Sequence, residues 1–407
     1  MGKLFVVGNR DLKGNIRVSG SKNAALPIIF ASILTRGVSK IYNLPKISDV
    51  EVALTILSEF GAIIRNVGEC TYIDTESIKF TAPDDRLVKR LRGSTYLMGA
   101  CLGRFGKCVI QDFGGCNFGK RPIDLHLMCF EKMGAEICDN IITLTKGHSA
   151  EITLPKVSVG ATVNAILLAS SINMQIKLYN YAKEPHIYTL IEYLNSAGAT
   201  IYEADNALVI FGSALRGGEV RIPPDMLEAG TFITLSMMNE SKISVSGFEV
   251  CELDSFFTSM NDAGAEFNIS NEGVSITSPP KREIYVKTAP YPEFSTDLQP
   301  IVAPLMAYLY GGTIEETVWR GRFGYLKQLQ LFGIGYRIIG DIAKIEPSKF
   351  VGASVICPDL RGGMACLITA LTAPYISTIE NCELIFRGYE AIVEKLSSLG
   401  ADIRYEM

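Results

Sequence analysis

A short motif recurs six times along the chain at nearly even spacing. Five copies follow the pattern apolar-x-x-apolar-Gly-Ala-x-apolar, from LSEFGAII at position 57 to LSSLGADI at position 396, and a degenerate copy, LQLFGIGYRI, begins at position 329. The shared glycines lie at positions 61, 134, 198, 264, 333 and 400, so the intervals are 73, 64, 66, 69 and 67 residues. Each copy predicts a helix that ends at a left-handed glycine and is followed by a strand.

A second pattern precedes each glycine motif. It has small residues, about a dozen largely apolar residues, a turn and a short strand, as in SKNAALPIIFASILTRGVSKIYN and VGATVNAILLASSINMQIKLYN. Helices that are apolar nearly all round are buried inside a domain. The unit is therefore helix-strand-helix-strand-strand. Six units of this length favour an α/β protein of two globular domains with three units each over a solenoid, whose repeats are usually shorter.

Composition excludes several classes of protein. Of the 407 residues, 48% are hydrophobic and 20% are charged, which is typical of a globular protein with a large core. A net charge of −4 gives no indication of nucleic-acid binding. The N-terminal apolar run is too short for a signal peptide, and no uninterrupted apolar run is long enough to span a membrane. We therefore expect a cytoplasmic protein.

The cysteines and histidines give no metal-binding pattern. The chain has ten cysteines without a C-x-x-C pair, and the histidines at 126, 148 and 186 are not spaced with them as zinc ligands would be. We expect no metal and no cofactor, and we expect most cysteines to be small buried hydrophobic residues.

One cysteine is an exception. Cys116 lies between glycines in DFGGCNFGKRP (positions 112–122), a segment that is neither a good helix nor a good strand, and Lys120 and Arg121 follow closely. A buried structural cysteine needs no such surroundings. An exposed loop with nearby positive charge is typical of a reactive thiol.

Charged and polar residues cluster where the buried helices are predicted to begin. These residues are Lys22, Asn23, Arg92, Lys156, Asp297, Asp359 and Arg361. Helix N-termini attract anions, and a basic residue there is unfavourable unless an anion offsets it. A single lysine near a helix start is usually solvated surface, but repeated use of the position indicates an anionic ligand with several phosphates or carboxylates.

Seven segments then resemble a known family. SGSKNAALP, GGCNFGKRPIDLH, KVSVGAT, TAPYPEFSTDLQ, GRFGY, DLRGG and RGYEAIVEKLSSLGA occur in this order, and they resemble the UDP-N-acetylglucosamine enolpyruvyl transferases (1-carboxyvinyltransferases) of the EPSP synthase family. The resemblance runs from about residue 13 to the C-terminus. It implies two inside-out α/β barrel-like domains with a substrate cleft between them. Residues 22–226 would form one domain, and residues 1–21 with 227–407 the other.

The resemblance also implies a reaction. The enolpyruvyl group of phosphoenolpyruvate passes to the 3'-hydroxyl of UDP-N-acetylglucosamine with release of phosphate, which is the first committed step of peptidoglycan synthesis. These small molecules are the implied partners, and no obligate protein partner is implied. Cys116 matches the loop general acid that fosfomycin alkylates, and Asp297 matches a candidate general base near the transferring hydroxyl. Lys22 matches a catalytic residue.

The substrate-binding residues are likewise carried over by resemblance. Those that match the phosphoenolpyruvate site are Lys22, Asn23, Arg121 and Arg387. Those that match the nucleotide-sugar site are Asn23, Arg92, Arg121, Pro122, Ile123, Asp124, Leu125, Lys156, Val157, Ser158, Val159, Asp297 and Val318. Those that match further cleft residues are Arg322, Asp359 and Arg361.

The chemistry agrees with this set. Protonation of an enol ether carbon needs an acid, and the departing phosphate needs fixed positive charge, which lysine and arginine supply. Two of the residues have other interpretations. Asp297 could be a partner of a helix N-terminus, and for His126 in RPIDLH we favour packing and hydrogen bonding in the core over substrate contact.

Two other functions remain open. A paralogue that binds UDP-sugar without turnover is consistent with departures from the family pattern at His186, Met226, Arg320 and Gly321, and with the missing acidic residue before Arg387. Transfer to shikimate 3-phosphate is disfavoured, because that branch lacks the glycine-flanked cysteine loop.

Overall fold

A computed structural model describes residues 2–114, 122–238, 241–270 and 273–407, and it shows a mixed α/β protein. The predicted site residues Cys116 and Arg121 lie outside the described residues, as does Lys120. All other predicted site residues are described.

The helices of the described residues are numbered in chain order. They are α1 (Lys22–Ala31), α2 (Ser48–Glu59), α3 (Asp85–Arg90), α4 (Leu97–Phe105), α5 (Asp124–Lys132), α6 (Val159–Ser171), α7 (Pro185–Ser196), α8 (Met226–Ser236), α9 (Asp254–Asp262), α10 (Gln299–Tyr308), α11 (Leu326–Leu329), α12 (Leu360–Thr372) and α13 (Ile392–Ser398).

The strands of the same residues follow in chain order. They are β1 (Lys3–Val7), β2 (Lys13–Arg17), β3 (Val38–Tyr42), β4 (Ile63–Val67), β5 (Cys70–Asp74), β6 (Lys107–Val109), β7 (Glu136–Cys138), β8 (Ile141–Thr143), β9 (Ala150–Thr153), β10 (Gln175–Tyr179), β11 (Thr200–Ala204), β12 (Ala207–Phe211), β13 (Glu219–Arg221), β14 (Lys242–Ser246), β15 (Glu266–Ser270), β16 (Gly273–Ser278), β17 (Ile284–Lys287), β18 (Gly312–Glu315), β19 (Tyr336–Ile339), β20 (Ile342–Ile345), β21 (Ser354–Ile356), β22 (Ile376–Glu380) and β23 (Asp402–Glu406).

The six repeat glycines share one backbone conformation. Their φ angles lie between +91° and +112°, a region that side chains with a Cβ rarely adopt. Each glycine stands between a helix and a strand, as α2 and β4 stand on either side of Gly61. The predicted helix ends are therefore confirmed, and so is the order helix-strand-helix-strand-strand, which the first repeat shows as α1, β3, α2, β4 and β5.

The chain divides into two compact units. The middle unit contains residues 20–223, and the terminal unit contains residues 2–19 and 224–407, in both cases as far as they are described. Each unit has its own hydrophobic core. The predicted buried helices lie in these cores: residues 161–170 of α6 and all residues of α12 are buried.

Among the described residues, each unit contains three small sheets, one for each repeat. In the repeats of α6, α10 and α12, the strand before the helix pairs in parallel with the strand after it: β9 with β10, β17 with β18, and β21 with β22. Such a pairing is the usual product of a βαβ connection.

The repeats of α1 and α8 exchange this strand. The strand before α1, β2, pairs in parallel with β14 of the terminal unit, and the strand before α8, β13, pairs in parallel with β3 of the middle unit. The N-terminal strand β1 lies between β22 and β23 and completes the sheet of the sixth repeat. Neither unit's sheets are therefore complete without strands from a distant part of the chain.

Candidate functional site

Asp297 in the terminal unit contacts two arginines. It lies in the loop before α10, where its Oδ1 is 2.8 Å from Nη1 of Arg322 and its Oδ2 is 3.3 Å from Nε of Arg361. Arg322 is 4% exposed and Arg361 is 2% exposed, whereas the Asp297 side chain keeps 30% of its surface exposed. The carboxylate thus faces solvent with two buried guanidinium groups behind it.

Arg361 has unused hydrogen-bonding capacity. Its Nη1 and Nη2 are buried and have no hydrogen-bond partner among the described residues, and its Cζ lies 5.3 Å from the centre of the Tyr389 ring. Burial lowers the pKa of this guanidinium, but Tyr389 and Asp297 raise the pKa by more, so the group is charged. A buried charged donor without an acceptor is costly. The arrangement favours an anionic ligand whose oxygens bind Nη1 and Nη2.

Asp359 holds the start of the helix that carries Arg361. Its Oδ1 accepts hydrogen bonds from the backbone amides of Arg361 and Gly362, each at 3.0 Å. This is an ordinary N-cap of α12. Arg387 ends a 3-10 helix (Cys382–Arg387) and lies two residues before Tyr389, whose ring faces Arg361.

The sequence reasoning missed Glu316, which lies between Val318 and the Asp297 loop. Its Oε1 accepts from the backbone amide of Val318 at 2.8 Å, and its Oε2 accepts from Oγ1 of Thr296 at 2.8 Å. Glu316 is 0% exposed. The sequence offered a signal, because Glu316 directly follows β18 and lies two residues after Ile314, an apolar residue that is also fully buried.

In the middle unit, Lys22 is the first residue of α1 and Asn23 is the second. Ser21 caps this helix by accepting from the amide of Ala24 at 3.4 Å. Nζ of Lys22 lies 3.5 Å from Oδ2 of Asp49, a buried carboxylate that the sequence did not single out. A lysine at a helix N-terminus is unfavourable because its positive charge repels the positive end of the helix dipole. The carboxylate of Asp49 offsets the charge of Lys22, and an anionic substrate would do the same.

The predicted segment Lys156–Val159 leads into α6. Lys156 is exposed, Val157 is half-buried, and Ser158 caps the helix by accepting from the amide of Ala161 at 3.4 Å. Val159 is the first helical residue. The segment therefore places a lysine beside the amides of a long, capped helix, which is a common arrangement for binding phosphate groups.

The segment Pro122–Leu125 forms the entrance to α5. Pro122 and Asp124 are exposed, Ile123 is half-buried before the first helical turn, and Leu125 is buried. Arg92 begins a 3-10 helix (Arg92–Tyr96), and burial lowers the pKa of its guanidinium.

His126 lies close to these residues and is 4% exposed. Its Nδ1 is 2.9 Å from Nδ2 of Asn164, and an added Cβ at Gly160 would lie 2.9 Å from its Cε1. Burial, together with the positive charge of Arg92, lowers the pKa of His126 to about 4, so the ring is neutral at physiological pH. The preferred interpretation of a packed, hydrogen-bonded histidine is confirmed.

The other cysteines fit a packing role. Seven of the nine cysteines in the described residues are buried, and burial raises the pKa of Cys108 and Cys129 to about 12. No cluster of three or more candidate metal ligands occurs in that part of the chain. Within the same residues, every helix is too short or too polar to cross a membrane.

Comparisons with known proteins agree on one family. The EPSP synthase family (3-phosphoshikimate 1-carboxyvinyltransferase) matches residues 6–396. A UDP-N-acetylglucosamine 1-carboxyvinyltransferase of Halothermothrix orenii is 37% identical over 412 residues, which cover 99% of each chain. A UDP-N-acetylglucosamine 1-carboxyvinyltransferase 2 of Staphylococcus epidermidis is 37% identical over 406 residues, or 97% of each chain.

Solved structures show the same fold at lower sequence identity. The enolpyruvyl transferase NikO from Streptomyces tendae aligns with a TM-score of 0.87 at 24% identity, covering 100% of this chain and 99% of the other. An EPSP synthase from Acinetobacter baumannii aligns with a TM-score of 0.71 at 15% identity, covering 100% of both chains.

Proposed function

We propose that this chain, which belongs to the EPSP synthase family, transfers the enolpyruvyl group of phosphoenolpyruvate to the 3'-hydroxyl of UDP-N-acetylglucosamine and releases phosphate. Relatives that are 37% identical over nearly the whole chain carry the name of this activity. Peptidoglycan synthesis follows from that name, and we place the enzyme in the cytoplasm. The observation that carries the proposal is the buried guanidinium of Arg361, whose Nη1 and Nη2 lack an acceptor in the described residues.

Phosphoenolpyruvate suits the arginines of the terminal unit. It carries a carboxylate and a phosphate, both of which accept paired hydrogen bonds from a guanidinium. We assign one of these anionic groups to Arg361, with Arg387 and Lys22 as further cationic groups. Arg121, which lies outside the described residues, belongs to the same set by its sequence match. Fixed positive charge of this kind stabilises the departing phosphate.

Asp297 is the proposed acceptor of the proton from the 3'-hydroxyl. A carboxylate has about four acceptor positions, so it can bind two arginines and still accept a hydrogen bond from a hydroxyl. Arg322 and Arg361 fix its orientation through both oxygens. Such orientation is required of a general base, whose hydrogen bond to the reacting group must be short and directed.

Cys116 is the proposed donor of the proton to the methylene carbon of phosphoenolpyruvate. It lies outside the described residues, so its role rests on the sequence match and on its glycine-flanked, basic surroundings. The proton moves from the thiol to the methylene carbon as the 3'-hydroxyl oxygen, which gives its own proton to Asp297, forms its bond to the adjacent carbon. Departure of phosphate, together with return of one proton from the new methyl group to the Cys116 thiolate, restores the double bond.

The proposed contacts of the nucleotide sugar are the residues that match this site in sequence. Lys156 and the amides at the start of α6 suit its diphosphate, with Asn23, Arg92 and the segment Pro122–Leu125 as further contacts. Val318, held by Glu316, is assigned to the same substrate. We also propose that the two units are the inside-out domains predicted from the sequence, each of three repeats.

The test is phosphate release from phosphoenolpyruvate, measured with UDP-N-acetylglucosamine, with shikimate 3-phosphate and with no acceptor. We expect phosphate release only when UDP-N-acetylglucosamine is the acceptor. The nucleotide-sugar product should have gained one enolpyruvyl group. Cys116→Ser should lose most of this activity. Phosphate release with shikimate 3-phosphate would show that the proposed acceptor, UDP-N-acetylglucosamine, is wrong.

Binding without release would instead identify a non-catalytic paralogue. Trp319 is the single tryptophan of the chain and adjoins Val318, so its fluorescence reports binding of the nucleotide sugar independently of turnover.

A further inference from the structure

We propose that Glu316 is a positioning residue for the transfer reaction, because its carboxylate orients the Thr296 hydroxyl that holds Arg322 against Asp297. The proposal rests on the proposed function and adds to it a residue that does not itself touch substrate. Its basis is a set of hydrogen bonds within the terminal unit.

The Glu316 carboxylate is fully buried and receives four hydrogen bonds. Oε1 accepts from Oγ1 of Thr288 and from the backbone amides of Val318 and Trp319, each at 2.8 Å. Oε2 accepts from Oγ1 of Thr296 at 2.8 Å. Both oxygens act as acceptors, which a carboxylate can do and a carboxamide cannot.

The bond to Thr296 determines what its hydroxyl can offer to Arg322. A hydroxyl has one proton and two lone pairs. Since the proton of Thr296 points to Glu316, Oγ1 presents a lone pair to Nη1 of Arg322, 3.0 Å away. The same Nη1 donates to the backbone oxygen of Thr296 at 2.9 Å and to Oδ1 of Asp297 at 2.8 Å.

Glu316 therefore connects two parts of the proposed site. Through Thr296 it fixes the arginine that orients the proposed base Asp297, and through a backbone amide it fixes Val318, the proposed contact of the nucleotide sugar. Because one buried carboxylate holds both Val318 and Arg322, it keeps the 3'-hydroxyl of the nucleotide sugar correctly placed relative to the base Asp297. Misplacement by about 1 Å can reduce the rate of an enzymatic step about 100-fold.

A purely structural role is the competing explanation. A substitution of Thr288 distinguishes a structural role of Glu316 from a positioning role. The Thr288 hydroxyl donates to the same carboxylate and accepts from the amide of Thr317 at 3.0 Å. It does not contribute to the hydrogen bonds that connect Glu316 with Arg322. We expect loss of the Thr288 hydroxyl to weaken the fold around Glu316 and to leave the bond between Glu316 and Thr296 in place. Thr288→Val is therefore the matched control.

The experiment compares the full-length variants Glu316→Gln, Thr296→Val, Thr296→Ser, Thr288→Val and the double variant Glu316→Gln/Thr296→Val. It measures kcat and KM for both substrates together with the thermal midpoint. We expect kcat to fall about 10- to 100-fold in Glu316→Gln and in Thr296→Val, with KM for phosphoenolpyruvate within about threefold. Thr296→Ser, which keeps the hydroxyl, should have a kcat within about threefold of the wild type. The double variant should have a kcat no lower than that of the slower single variant.

Thr288→Val should lower the thermal midpoint and leave kcat within about threefold of the wild type. The positioning role would be overturned by kcat losses that follow the thermal midpoints across all variants, or that add in the double variant. If Glu316→Gln does not fold, Thr296→Val and Thr296→Ser still decide the matter. Wild-type protein that turns over neither acceptor would overturn the proposed function and this role with it, whereas wild-type turnover with the wrong variant pattern would overturn this role alone.

Discussion

The side-chain amide of Asn164 donates to Nδ1 of His126 over 2.9 Å, while its carbonyl oxygen accepts from the backbone amide of Gly99 over 2.8 Å. Because the Gly99 amide is a donor, it assigns Oδ1 of Asn164, and the other amide atom can only donate. Nδ1 of His126 therefore accepts, and the proton of the neutral ring is on Nε2. One buried side chain thus joins α4, α5 and α6 and fixes the tautomer of the histidine beside Arg92.

This relationship predicts a loss of stability in acid. Because the pKa of His126 is about 4 in the folded state, against an ordinary value of 6.5, the unfolded chain binds one proton more between these values. Stability should therefore fall as pH decreases from 6.5 towards 4, by about 1.4 kcal/mol per pH unit and about 3 kcal/mol in total. His126→Gln should reduce this slope in denaturant unfolding measured between pH 4 and 7. Parallel curves for wild type and variant would contradict the prediction.

Asp297 and Asp359 should respond differently to the same substitution. Asp297→Asn removes the proposed proton acceptor, so kcat for transfer should fall about 100- to 10,000-fold. Asp359→Asn keeps an equally good N-cap for α12, so activity should stay within about threefold if Asp359 serves mainly as the cap. Steady-state kinetics of both variants provide the measurement. A small effect at Asp297 would remove it as the base, and a large one at Asp359 would show a role beyond capping.

Much of the fold could be predicted because the repeat depends on residue types that are close together in the sequence. Gly61 and its five counterparts carry positive φ angles that other residues rarely adopt, so their spacing reveals the helix ends. Small and apolar residues around the full circumference of α6 reveal its burial. These properties depend on neighbours in sequence, and a single chain displays them.

Long-range pairings were not readable in the same way. Nothing in the local sequence of β1 indicates that it pairs with β22 and β23, or that β2 pairs with β14 and β13 with β3. The contact between Asp297 and Arg361 joins residues 64 positions apart. Thr296 and Glu316 meet only because the loop before α10 and the end of β18 are neighbours in the folded chain. Such contacts depend on tertiary packing.

Glu252 predicts a second dependence of stability on pH. It is half-buried in a 3-10 helix (Val250–Leu253), and burial, together with the charges of Glu249 and Asp225, raises its pKa to about 7. The folded state therefore binds the proton more tightly, and stability should decrease as pH rises from 4.5 through 7. Glu252→Gln should be more stable than wild type at pH 8, on the order of 1 kcal/mol after allowance for solvent screening.

The exposed neighbour Glu249 supplies the control for Glu252. Glu249→Gln removes one of the charges that raise the pKa of Glu252, so it should recover part of the same gain at pH 8. Thermal midpoints at pH 6 and pH 8 are the measurement. A gain of equal size at both pH values would show a packing effect in place of a titration.

Substitutions of Arg361 and Arg322 should differ in their effects on activity and on stability. Arg361→Met removes a buried charge whose Nη1 and Nη2 have no acceptor in the described residues, while Asp297 keeps its bond to Arg322. The ligand-free variant should be as stable as the wild type or up to about 1 kcal/mol more stable, yet transfer below about 1% of the wild-type rate. Arg322→Met instead removes the donor that Asp297 Oδ1 and the Thr296 backbone oxygen share, so it should lose about 2–3 kcal/mol. Thermal midpoints with and without phosphoenolpyruvate test both, because the ligand should raise the midpoint of the wild type and leave that of Arg361→Met unchanged. Equal destabilisation of the two variants would show that Arg361 is satisfied within the protein and that the anion assigned to it binds elsewhere.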